Sequence, residues 1–291
     1  MKLLSLLLLH LLQLLVANAY NYCHNATHIC DTRNMRHFIC HMDTELRLQR
    51  PLLNKAKYVA TIPDTLTLRT LILDYHNDFR HMLAGGGLTT NSNETFPAAS
   101  RMRELIWDEE LAHMARIHAS TVSFKHTMCR SVVRFPNAGE ALGLVFASST
   151  RRTIKELLDL TLVPMFEEYR VAEDPDNLVN EFDSSKHHVV AHFTLLVNDR
   201  VSRVGCAFVV ASGCEQEARE GYCFFLTCHY DFVNMEKSFV YKTGDPASQC
   251  CIWRAPSKSK KFRHLCGNSG AIFPMVSVLL SHFTVEIISS C

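Results

Sequence analysis

Apolar positions along the first half of the chain repeat with helical spacing. In "TLTLRTLILDYHNDFRHMLAGGG", Leu68, Leu71, Ile72, Tyr75, Phe79, Met82 and Leu83 fall at steps of three and four. That spacing predicts an amphipathic helix, with Asp64 or Thr65 as its cap and Gly85 to Gly87 as its end. A second helix is predicted in "WDEELAHMARIHAS", capped by Asp108, with Glu109 and Glu110 against the positive end of its dipole. Its buried stripe is Leu111, Met114, Ala115, Ile117 and Val122. A third covers "TIKELLDLTLVPMFEEYRVA" and is expected to kink or restart at Pro164, which lacks an N–H. The pattern then becomes extended. "HHVVAHFTLLV", "RVGCAFVV" and "GYCFFLTCHY" read as β-rich runs separated by Asn198-Asp199 and Ser212-Gly213. Helices first and strands after predict an α+β domain, its helices packed on an antiparallel sheet.

The start of the chain is different again. "MKLLSLLLLHLLQLLVANA" has one lysine, a leucine-rich centre and a small-residue end at Ala17-Asn18-Ala19, which reads as a secretory signal peptide over residues 1–19. His10 and Gln13 interrupt a run already short for a membrane span, so no span is expected in the mature chain. Residues 20–62 carry three cysteines and no sustained period, and read as a stapled, irregular arm. The main domain is placed at 63–245 and a cysteine-containing extension at 246–291. The final apolar stretch, "AIFPMVSVLLSHFTVEII", could serve as a lipid-anchor signal, but His282 and Glu286 break it and no polar spacer precedes it; a free secreted chain is the favoured reading.

Twelve cysteines in an exported chain point to disulfides, and no C-x-x-C pair suggests zinc instead. Asn25-Ala-Thr and Asn93-Glu-Thr are glycosylation acceptors. A formal net charge of +1 over 291 residues gives no reason to expect nucleic acid or an acidic membrane as a partner. The basic run "SKSKKFRH" reads as a solvated loop.

The histidine-bearing run 187–197 poses the main chemical question. His188 and His192 are four apart, as in the helical zinc motif H-E-x-x-H, but Val189 stands where the glutamate would be. Two consecutive β-branched residues favour a strand. His188, Val190, His192 and Thr194 would then share a polar face, and Val189, Ala191, Phe193 and Leu195 a core face.

Nine segments in order, "YHNDFRHMLAGG", "WDEELAHMA", "KHTMCR", "GEAL", "MFEEYR", "AHFTLLV", "VGCAF", "LTCHYDFVNM" and "YKTGDPASQC", resemble the CAP superfamily, in particular the insect antigen-5-like proteins. The resemblance implies a three-layer α-β-α sandwich with a central cleft. It implies that His126, Glu140, Glu168 and His192 gather in that cleft, while His187 and His188 are incidental. It also implies the bridges Cys23–Cys40, Cys30–Cys129 and Cys206–Cys228; Cys214 and Cys223 could clip a hairpin, and Cys250 or Cys251 could reach Cys266. Ala141, Met165, Ala191, Leu195 and Asn198 replace residues usual beside the family's cleft. Two imidazoles with carboxylates suit a divalent ion such as zinc. Two function classes follow: a non-enzymatic extracellular protein binding a lipid, sterol, metal or receptor, and a metal-dependent hydrolase. The lack of H-E-x-x-H and of an identifiable nucleophile favours the first.

Overall fold

A computed structural model describes residues 22–23, 30, 34–41, 56–216, 219–253 and 258–270. The predicted signal peptide, Asn25 and the apolar tail lie outside them.

The element order is β1 (Lys57–Thr61), α1 (Leu66–Ala84), β2 (Ile106–Trp107), α2 (Glu109–Ser120), β3 (Gly139–Ala147), α3 (Ile154–Glu167), α4 (Pro175–Asn180), α5 (Ser184–His187), α6 (Ala191–Leu196), β4 (Arg203–Gln216) and β5 (Arg219–Tyr230). Short 3-10 turns cover Phe38–His41, Glu168–Val171, His188–Val190 and Cys250–Trp253. The sheet order is β1-β4-β5-β3, antiparallel throughout, with β2 added in parallel on β4.

Alternation along β4 assigns the two faces. Val204, Cys206, Phe208 and Val210 join the main core with Ile72 and Leu83 of α1, Leu158 and Leu162 of α3, and Phe193 and Leu196 of α6. Ala207 and Val209 face the other way, against Ala115 and Ala119 of α2. The result is an α+β sandwich with helices on both faces of the sheet. Gly205 sets how closely α2 approaches: a Cβ there would lie 2.1 Å from the Ala112 nitrogen, so the helix backbone rests on the strand.

The caps of the first two helices are Thr65 and Asp108, whose side chains accept N–H bonds from the first turn. Pro164 lies inside α3 and the helix runs on to Glu167, followed by the 3-10 turn at Glu168–Val171. The arm is less irregular than its composition suggests, because Lys57–Thr61 forms an edge strand on β4.

The run 187–197 is helical, not extended. His188–Val190 is a 3-10 turn and Ala191–Leu196 an α-helix. Buried Val190, Phe193, Leu196 and Val197 recur at helical spacing, and Val189, expected on the core face, is exposed. The Glu168 carboxylate supplies what β-propensity could not outweigh: Oε2 accepts the backbone N–H groups of His192 and Phe193 at 2.9 and 3.0 Å, satisfying donors a helix start leaves unpaired.

Arg80 locks this helix in place. Fully buried, its guanidinium donates to the carbonyls of Arg103, Leu196, Asn198 and Val201 at 2.9–3.0 Å. Disulfides join Cys23–Cys40, Cys30–Cys129, Cys206–Cys228, Cys214–Cys223 and Cys250–Cys266; Cys251 is also disulfide-bonded. The segment around Cys266 packs beside β2: the Cys266 N–H donates to the Met102 carbonyl at 2.7 Å.

Candidate functional site

The four candidate residues form two histidine–carboxylate pairs, His126 with Glu140 and His192 with Glu168. His126 Nδ1 donates to Glu140 Oε1 at 2.8 Å, and His192 Nδ1 to Glu168 Oε1 at 2.6 Å. His126 lies in the loop after α2 and its side chain is 58% exposed. Glu168 opens the 3-10 turn that follows α3, and the His192 side chain is 35% exposed at the start of α6. In both pairs the carboxylate takes Nδ1, which fixes the tautomer and leaves Nε2 as the lone-pair nitrogen.

Glu140 is the more heavily bonded of the two carboxylates in these pairs. It sits on β3, fully buried, on the face that α2 covers. Oε1 also accepts the Thr127 N–H at 3.0 Å and Arg130 Nη2 at 3.2 Å; Oε2 accepts Thr127 Oγ1 at 3.1 Å and His229 Nε2 at 2.9 Å. Burial alone would push its carboxyl up. The Arg130 guanidinium and the neighbouring imidazoles outweigh that and hold it well below the usual carboxylate range.

His229 and His118 were not singled out by the sequence reading. His229 is directly opposite Glu140 in the β3–β5 pairing, so its position follows from register. Burial pushes its imidazole down to about 4, against the opposing effect of the hydrogen bond it donates to Glu140. His118 is fully buried on α2, with Nδ1 3.0 Å from Glu140 Oε2 but outside hydrogen-bonding alignment. The sequence did carry a signal: His118 falls at i+7 from Leu111 and i+4 from Met114, on the apolar stripe of its helix.

Among the described residues, two sets of three or more ligand-type atoms lie within 4.8 Å of one another: His118, Glu140 and His229, and His76 with Cys206 and Cys228. The second set offers no thiolate, because its sulfurs are bonded to each other. His187 and His188 are not part of either pair; His187 Nδ1 accepts the Asp183 N–H at 3.0 Å.

The sequence model of the cysteine-rich secretory protein family, CAP, matches residues 73–230. Venom allergen-1 of Aedes albopictus is 30% identical over 216 residues, covering 73% of this chain and 76% of the relative. Tabinhibitin 2 of Tabanus yao is 27% identical, covering 72% and 77% of the two chains. Among solved structures, BmVAL-1 superposes with a TM-score of 0.56 at 25% identity, over 70% of this chain and 95% of that one. NaASP2, solved with Zn2+, gives 0.55 at 21%, over 70% and 98%.

Proposed function

The chain belongs to the cysteine-rich secretory protein family, and from that premise we propose that it is a secreted, non-enzymatic binding protein whose cleft is formed by the His126–Glu140 and Glu168–His192 pairs. The observation that carries this reading is the shared arrangement of the pairs. Each imidazole is oriented by a carboxylate at Nδ1 and keeps Nε2 for a ligand on a part-exposed ring. That is how a carboxylate prepares a histidine to hold a metal ion.

In this reading His126 and His192 would supply nitrogen to zinc or a similar divalent ion, with the glutamates orienting them. A bound ion would supply positive charge able to hold an anionic or carbonyl group. NaASP2, similar in fold, was solved with Zn2+. Exposed Met128 and Val133 follow His126 along its loop, and exposed Val189 precedes His192, which supports an apolar partner such as a lipid or sterol beside the polar pairs.

Both Nδ1 atoms are engaged by carboxylates, an arrangement that supports the holding of a ligand at Nε2. Family membership and the disulfide framework support secretion, and exposed Asn93, held in a turn with φ of 63°, is the acceptor in the described chain for glycosylation.

The test is direct titration of purified protein with zinc and with a sterol, comparing wild type with His126→Ala/His192→Ala. Loss of binding in the double variant, with folding retained, is expected. Chelator-sensitive peptidase activity that His192→Ala abolishes would replace this reading with a hydrolase.

A further inference from the structure

We propose that His118, Glu140 and His229 form a second, buried site that takes one divalent transition ion of the zinc class as a structural centre. It goes beyond the cleft reading and shares with it only Glu140, whose Oε1 faces His126 while Oε2 faces His118 and His229.

The donors are already gathered. His118 Nδ1 and His229 Nε2 lie 3.0 and 2.9 Å from the same Oε2, and all three atoms lie within 4.8 Å of one another. Zinc bonds of about 2.0–2.2 Å in tetrahedral geometry set ligand atoms roughly 3.3 Å apart, so small side-chain shifts would seat the ion. Two imidazoles and one carboxylate, leaving a fourth position for a non-protein ligand, is a zinc-type donor set.

A second observation points the same way. Both ring nitrogens of His118 and Nδ1 of His229 are buried without a hydrogen-bond partner in the structure. Buried polar atoms left unpaired are costly, and ligation would satisfy one nitrogen of His118 outright. An ion would also take the place of the proton now shared between His229 and Glu140.

The surroundings suit a structural centre. Phe38 closes over the pair, its ring 5.9 Å from His118 and 5.8 Å from His229, centroid to centroid. The Thr127 N–H and Arg130 fix Glu140 through Oε1, and the Thr127 hydroxyl steadies Oε2, which also meets both histidines. Arg130 adds a positive charge near the ion, which lowers its affinity, while the burial of all three ligands slows its exchange with solvent. The ion would tie α2, β3 and β5 together.

The experiment measures zinc per chain by elemental mass spectrometry after secretion into zinc-supplemented medium and exhaustive dialysis against a chelator. Three full-length proteins are compared: wild type, His126→Ala/His192→Ala, and His118→Gln/His229→Gln. The proposal expects one retained ion in the first two and none in the third. Absence of a retained ion from the cleft variant overturns it, and so does retention by the buried-site variant. If the buried-site variant fails to fold, cobalt-substituted cleft variant decides: a tetrahedral cobalt spectrum supports the site, and an aquo-cobalt spectrum overturns it. Failure of the cleft reading is separately visible, as unchanged sterol or zinc titration in the cleft variant.

Discussion

Glu168 both orients His192 and builds the helix that carries it. Oε1 accepts His192 Nδ1 at 2.6 Å, while Oε2 accepts the backbone N–H groups of His192 and Phe193. One carboxylate therefore couples the imidazole's tautomer to the backbone fold of α6.

Glu168→Gln separates the two roles. A glutamine oxygen can still accept a backbone N–H, but its amide group cannot accept from Nδ1 as a second carboxylate oxygen does. Stability is expected to fall by about 1 kcal/mol, the usual worth of an N-terminal cap. Ligand affinity in the cleft is expected to fall roughly 10- to 100-fold, as for other lost partners of ligating histidines. Urea denaturation and zinc titration on the same preparation read both; unchanged affinity would separate His192 from ligand binding.

Arg80→Met should be among the most damaging single changes. Four buried carbonyls lose their donor at once. Burial pushes the guanidinium down to about 9, so it is still charged at neutral pH and its bonds are charge-assisted. At about 1–3 kcal/mol for each carbonyl left unsatisfied, the expected loss is on the order of 4 kcal/mol or more. Arg80→Lys should recover only part of it, since an ammonium cannot reproduce the planar fork. Denaturation midpoints of the two variants test the ranking.

Metal-free protein should lose stability steadily as pH falls from about 7 toward 4. Burial pushes His76 down to about 4, only partly offset by its bond to the Ile72 carbonyl, and His229 behaves likewise. Between about 6.5 and 4 the unfolded chain binds protons on these imidazoles and the folded chain does not, so falling pH favours unfolding. Each can cost about 3 kcal/mol by the lower end of that window. Glu140, held well below the usual carboxylate range, acts in the same direction at lower pH: its contribution is present above that range and is lost as the pH falls from there through the lowered value of the folded chain. His76→Gln should flatten the profile of urea midpoint against pH; an identical slope would remove His76 from this account.

Helix caps and core stripes were legible in the sequence because they are local. Thr65 and Asp108 need only their own first turns. The run 187–197 misled because β-branched residues argued for a strand, while the deciding partner, Glu168, lies 24 residues before His192. Yet Val190, Phe193 and Val197 already stood at helical spacing. β3 gives no strand signal in the sequence, because "GEALGLVFA" is buried on both faces over much of its length and shows no alternation. The buried cluster around Glu140 depends on the register of β3 with β5 and on the close seat of α2 at Gly205, neither of which a single sequence displays.

The Cys30–Cys129 bond should matter more than its position in a loop suggests. It closes a separation of 99 residues, against 9 for Cys214–Cys223. Chain entropy then assigns it about 4–5 kcal/mol and the short clip about 2.5 kcal/mol, in a model-dependent estimate. Its local role adds to that. Cys129 lies three residues after His126, and its carbonyl accepts the Phe38 N–H at 2.9 Å, holding the ring that covers His118 and His229. Paired serine replacement of Cys30 and Cys129 should therefore lower the urea midpoint more than paired replacement of Cys214 and Cys223. It should also weaken zinc retention and binding at His126, which the hairpin clip should leave intact, since that clip joins β4 to β5 far along the strands from Glu140. A reversed order of midpoints, or equal zinc retention in the two variants, would show that the arm does not support the site.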